Sequence, residues 1–253
     1  MAEQLGLFES RGGSVPVEPA QAPLSIRESR RARYLTLRLL PPHTLELVVP
    51  RGTRASAVTA FVHENRKWIE NARRELAQCR PIRAEGLPAH IGLKAIGRSW
   101  RVEYRHDSRA GVRCRPLDAL LEVTTADASR RGADAALRSW LLDEADYHLR
   151  PWLLREAQVV GKRPANVQVR LQRTRWGSCS NSGTVSLNAA LLFLEPAVVR
   201  YLLVHELCHL IALNHSRRFW AAVARFEPGY EALDRQLTEA WHEIPLWVHT
   251  EPS

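Results

Sequence analysis

The sequence predicts an α+β protein whose strands crowd the front half and whose helices carry the titratable residues of the back half. Three observations predict it. Short runs with alternating or β-branched character recur as far as Ala119–Thr124, apolar positions at helical spacing dominate from Ala133 onward, and no repeat of fixed period runs through the 253 residues. At 45% hydrophobic residues the chain has enough apolar material for a proper core. The spacing divides it into a loose tail over 1–22, a β-rich module with one amphipathic helix over 23–128, and a second domain over 129–253.

The tail is rich in Gly, Pro, Ser and Ala and has no periodicity. Leu24–Glu28, Tyr34–Leu40 and Thr44–Val49 follow as short strands, expected as an antiparallel meander broken by Pro41-Pro42, with Arg27, Arg30, Arg31 and Arg33 at a solvated hairpin tip. From Ala55 to about Cys79, the positions Val58, Phe61, Val62, Trp68, Ile69, Ala72 and Leu76 recur at three and four, so one helix packs on those strands. Strand-like runs at Ser99–Tyr104 and Ala119–Thr124 complete the module.

The second domain opens with helical spacing over Ala133–Leu149 and Trp152–Val160, where Pro151 is expected to kink or end the first segment. Val167–Gln172 and Gly183–Leu187 alternate and are expected to pair as a hairpin. Pro196 stands at the favoured first-turn position of a helix whose apolar face, Val198, Val199, Leu202, Leu203 and Leu210, reaches about Leu213.

In that helix lies His205-Glu206-Leu207-Cys208-His209. Residues four apart on a helix are rotated by about 40° and displaced by about 6 Å, so the two imidazoles can reach a single ion. Glu206 is offset by about 100° from His205, beside the open position of such an ion, where a carboxylate can take a proton from an activated water. A catalytic zinc keeps three protein ligands, and His215 leads for the third place. On an unbroken helix it would point away, so the helix must break between Leu210 and Asn214, with Asn214 in the left-handed conformation and Ser216 capping a helix over Arg217–Phe226. Glu227, Glu231 and Asp234 are the fallback ligands. The peptidases that end in a Met-containing turn are excluded, since the only methionine is Met1 and Ala212 stands where they carry glycine.

Arg175-Trp176-Gly177-Ser178-Cys179, Leu187-Asn188, the five-residue histidine run and Asn214-His215-Ser216 with Phe219-Trp220 together resemble the YgjP-like (DUF45) metallopeptidase family, related to the SprT and WLM-type zinc proteases. The resemblance implies a minimal zincin-like domain, a short antiparallel sheet over active-site helices. It also implies one Zn2+ on His205, His209 and His215, Glu206 as the catalytic residue, and a peptide or protein substrate in the cytoplasm.

Other residues admit two readings. Arg175 and Trp176 can bind substrate, or Trp176 can plug the core; Asn188 can cap a helix or hold a ligand histidine. Cys208 reads as packing rather than a fourth ligand, which would close the site. Tyr201 and Tyr230 are candidate oxyanion donors, and Thr184–Leu187 is a candidate edge for pairing with an extended peptide.

Charge sets the alternatives. The net charge of +9 sits almost wholly in residues 1–110, where 19 Lys+Arg meet 11 Asp+Glu, a difference of +8. Nucleotide hydrolysis at a phosphoanhydride, or nucleic-acid association beside a SprT-like protease activity, would use that basic half, although no phosphate-cradling glycine loop accompanies it. The four cysteines form no CxxC pair, which argues against a disulfide framework. No stretch approaches the roughly 18–20 apolar residues of a membrane span, and the opening residues show neither a basic leader nor an apolar h-region, so no membrane partner is expected.

Overall fold

A computed structural model describes residues 24–40, 44–78, 86–106, 111–115, 119–126 and 129–249. The expected tail, Pro41-Pro42 and Cys79 lie outside them. The chain forms two compact units, one of residues 24–39 and 44–78, the other containing 86–249.

In the first unit, β1 (Leu24–Ser29), β2 (Thr36–Leu40) and β3 (Thr44–Pro50) lie in the order β1-β3-β2. The expected meander is overturned: β3 is central and runs parallel to β1, with Leu24 opposite Leu45 and Ser29 opposite Pro50. The reason is visible in β3, whose Leu45, Leu47, Val48 and Val49 are all buried and so claim the middle of the sheet. The arginine-rich segment after β1 is therefore not a hairpin tip, and Arg27 pairs within the sheet with Glu46. The single helix expected next is two, α1 (Ala55–Glu64) and α2 (Arg66–Gln78). Between them the Asn65 side chain donates to the Phe61 carbonyl at 2.8 Å, competing with the helical ladder. Leu45, Ile69 and Ala72 form the buried centre.

In the second unit, β4 (His90–Leu93), β5 (Arg98–His106), β6 (Gly111–Arg115) and β7 (Leu120–Thr125) form a sheet in the order β4-β5-β7-β6. It lies across α3 (Arg130–Val160): Ile91, Leu93, Trp100, Val102, Leu121 and Val123 share one core with Leu137, Trp140 and Leu141, and Trp100 meets Trp140 edge-on at 5.4 Å. The boundary expected between 128 and 129 thus falls elsewhere. These strands belong with the histidine-bearing half because their inward face is buried in the same core as α3.

Pro151 does not end α3, which runs on to Val160. Leu149, Leu153, Ala157 and Val160 stay buried on the face begun by Leu141 and Ala145, whereas Pro151 and Tyr147, whose carbonyl loses its helical donor, are exposed. Burial of that face offsets the cost of about 3 kcal/mol for an internal proline.

A second sheet holds β8 (Asn166–Arg170), β9 (Gly177–Cys179) and β10 (Thr184–Asn188) in the order β8-β10-β9. Here two expectations are corrected. β8 runs parallel to β10, so the hairpin joins β9 to β10, with Gly183 in the turn at φ 77°. Thr184–Leu187 is then in the central strand and no edge; the edges are β8 and β9. The sheet is mixed rather than antiparallel. A buried turn of 3-10 helix, Ala189–Phe193, leads to α4 (Pro196–Cys208), followed by α5 (Arg217–Phe226), α6 (Tyr230–Glu239) and α7 (Leu246–His249). The fold class is α+β, as the sequence predicts. No helix among the described residues is long and apolar enough to cross a membrane.

Candidate active site

α4 begins with Pro196 in its first turn and then buries Val198, Val199, Leu202, Leu203, Val204 and Leu207. A helix apolar on nearly every side belongs in a core, which fixes its two histidines and its glutamate against packed neighbours. It ends at Cys208, earlier than Leu213. The next amides turn tightly, Leu210 donating to Leu207 O at 3.0 Å and Ile211 to Cys208 O at 2.9 Å. This tightening, rather than a left-handed Asn214, breaks the helix: no described non-glycine residue except Ala119 has positive φ. Ser216 stands at the N-cap of α5, without a side-chain capping bond.

The break swings His215 back over α4. One ring nitrogen each from His205, His209 and His215 lies within 4.8 Å of the others, and the Nε2 atoms of His205 and His215 are 3.2 Å apart. Tetrahedral zinc with Zn–N of about 2.0–2.1 Å requires nitrogens about 3.3–3.4 Å from one another; the His205–His215 pair is near that spacing, and three imidazole nitrogens are a donor set of the kind that holds such an ion.

Hydrogen bonds set the tautomers that ligation needs. The Tyr201 hydroxyl donates to Asp234 Oδ1 at 2.6 Å, leaving its oxygen to accept from His205 Nδ1–H at 3.3 Å; the lone pair of His205 Nε2 then faces the cluster. His209 Nδ1–H points to the Ala212 carbonyl at 3.4 Å, with the same effect. Aromatic rings hold the imidazoles from behind: Phe219 stacks on His209 at 4.5 Å, Trp220 on His215 at 5.6 Å, and Tyr230 on Trp220 at 5.1 Å. Burial, then the neighbouring His209 and His215, push His205 down to about 4, and burial also lowers His209. Both are therefore neutral near pH 7, the form that ligates.

Glu206 is 4% exposed, and its Oε2 is buried with no hydrogen-bond partner among the described residues. Burial pushes its carboxyl up to about 8, opposed by the guanidinium of Arg175. A cation beside it would favour the ionised form and draw that value down.

The other candidates divide. Arg175 is exposed and its charge reaches Glu206. Trp176 is buried and stacks on Trp241 at 3.9 Å, so it plugs the core. Asn188 is fully buried; its amide donates to Gln172 O and Arg175 O at 2.7 and 2.8 Å, and its Oδ1 accepts from Ala190 N. It ties down the loop that carries Arg175, and none of these bonds goes to a histidine. Tyr201 is removed as an oxyanion donor, because its hydroxyl proton is committed to Asp234. Tyr230 packs against Trp220 and Tyr201. Cys208 is buried, and burial pushes its thiol up to about 11, as suits a packing residue. Of the fallback ligands, Glu227 pairs with Arg200 and Asp234 holds Tyr201. The pairing of Tyr201 with Asp234 escapes sequence reasoning, although Tyr201 stands four residues before His205 and hence on its face.

No curated protein matches the chain. Among solved structures, it is similar to the metallopeptidase zymogen abylysin of Pyrococcus abyssi, at 30% identity, covering 43% of this chain and 99% of that one with a TM-score of 0.30. The family model of the YgjP-like metallopeptidase domain matches residues 33–240, most of the chain and all of the histidine-bearing segment. The chain belongs to the YgjP-like metallopeptidase family.

Proposed function

We propose that the protein is a zinc-dependent metallopeptidase that hydrolyses peptide bonds with Glu206 as general base and His205, His209 and His215 as the metal ligands. The observation that carries this reading is the convergence of three imidazole nitrogens within 4.8 Å, two at the end of α4 and one from the turn beyond it, beside a buried carboxylate whose Oε2 has no partner among the described residues. A divalent ion held by those nitrogens supplies Lewis acidity, polarising an acyl oxygen and making a water acidic near neutral pH. Glu206 accepts a proton from the attacking water and returns it to the departing amine. The buried setting strengthens both transfers by excluding competing solvent. β9, at the edge of its sheet and packed on α4, offers backbone groups to an extended chain, and the exposed Arg175 stands at its start as a contact for substrate carbonyls.

Glu206→Gln tests the assignment. It should retain bound zinc and lower the hydrolysis of an unfolded protein by about 10²–10⁴-fold, the usual weight of a positioned acid–base group. Undiminished hydrolysis would remove Glu206 as the base. A second reading, phosphoanhydride hydrolysis of nucleotides, is favoured only by the +8 excess of residues 1–110. A nucleoside triphosphate panel assayed beside the unfolded protein, each with and without chelator, separates the two.

A further inference from the structure

Gly177 opens β9, and nothing in its backbone calls for glycine. Its φ lies outside the left-handed region, unlike those of Gly52, Gly97, Gly161, Gly183 and Gly229. A glycine inside a strand weakens it through chain entropy and the lack of a side chain to pack. Something else must favour the missing side chain. A Cβ built on Gly177 would lie 2.6 Å from Glu206 Oε1, 2.9 Å from Cγ and 3.0 Å from Cδ. Real Cβ atoms do not approach so closely. Among the described glycines outside helices, no other added Cβ would come nearer than 3.4 Å to anything, and Gly92, also in a strand and also at ordinary φ, has nothing within 4 Å.

We propose that Gly177 is a positioning residue: the space where its side chain would stand is the slot that holds the Glu206 carboxylate beside the histidine cluster. This rests on the role proposed for Glu206. Three contacts hold the strand in place. β9 is fixed to β10, with Gly177 opposite Leu187 and Cys179 opposite Val185, and both Leu187 and Val185 are fully buried, so the strand cannot retreat. Trp176 is held by its stack on Trp241, and the Asn188 amide pins the Arg175 carbonyl one residue further back. Glu206, by contrast, is a side chain with three torsions. A methyl group at 177 therefore displaces the carboxylate rather than the strand, and the protein still folds.

The proposal separates two functions within the Arg175–Cys179 segment. Arg175 acts on Glu206 through charge, Gly177 through shape, and only the second sets where the oxygen atoms stand. Glu206 Oε2 has no hydrogen-bond partner among the described residues, so the shape left by the strand, not a donor, locates the carboxylate there.

The test is Gly177→Ala in the full chain, alone and combined with Glu206→Ala, with Gly92→Ala as the control. For Gly177→Ala we expect zinc affinity within about twofold of the parent and an unchanged KM. Its kcat should fall about 100-fold, the scale of a misplacement near 1 Å. In thermal melts Gly177→Ala should lower Tm when Glu206 is present and not when position 206 is alanine, since the clash is then gone. Gly92→Ala should move none of these. A kcat within threefold of the parent, or the same loss of Tm in both backgrounds, would overturn the proposal. The melting arm needs no activity. If the parent hydrolyses no polypeptide, the peptidase reading fails on its own, while the paired melts still decide whether Gly177 and Glu206 compete for one space.

Discussion

In the front unit Leu45, Ile69 and Ala72 make up the buried cluster, and α1 buries none of its residues. In the second unit one cluster runs from Ile91 to Val248 and includes every apolar residue on the inner side of α4. The two also differ in charge: the front unit belongs to the half of the sequence with the excess of arginine. The histidine cluster and Glu206 lie in the second unit. The difference teaches where such a site can be built: three ring nitrogens and a carboxylate keep their places only when their supports are themselves locked by packing. A small, open unit can offer surface but not that precision.

Core substitutions should sharpen the contrast most. Leu203→Ala, beneath the histidines, should cost about 2–5 kcal/mol in denaturant melts and weaken zinc uptake with it. Ile69→Ala should leave zinc uptake intact whatever it does to the melting of its own unit. Equal effects of the two on zinc binding would break the comparison. Next in size is Tyr201→Phe, which removes the link between His205 and Asp234; zinc affinity should fall about 10–100-fold by competition with a chelating dye. No change would mean that packing alone orients His205.

The last effect is on pH and is absent at neutrality. His249, in α7, is buried with its Nε2 unpartnered, and burial followed by the charge of Arg173 pushes it down to about 4 from an ordinary 6.5. Between those values the unfolded chain binds a proton that the folded chain refuses, so stability falls as pH drops from 6.5 towards 4 and is flat in this respect above 6.5. Melts of the parent and His249→Gln should converge as the pH is lowered through that window. Parallel curves would show that His249 does not titrate on unfolding.

What the sequence disclosed, and what it did not, follows the same division between local and distant causes. The spacing of His205 and His209, the first-turn Pro196, and the need for a break before His215 are local, and all three are legible. Strand partners are not. Alternation marks Val167, Val169, Val185 and Leu187 as strand residues, yet the parallel pairing of β8 with β10 depends on which faces the rest of the core must cover. Pro151 looks like a stop because its cost is local, whereas the buried face that outweighs it is assembled by other elements. Asp234 read as a spare ligand. Only the fold places it against Tyr201, thirty-three residues earlier in the sequence.

Zinc titration of the metal-stripped protein, parent against His215→Ala, tests the central claim most directly. The account predicts one ion per parent chain, and an affinity lower by more than about 100-fold in the variant, since loss of a ligand exceeds the 10–100-fold effect of losing a supporting partner. A parent that takes up no zinc, or a variant that binds it as tightly, would contradict the three-histidine site.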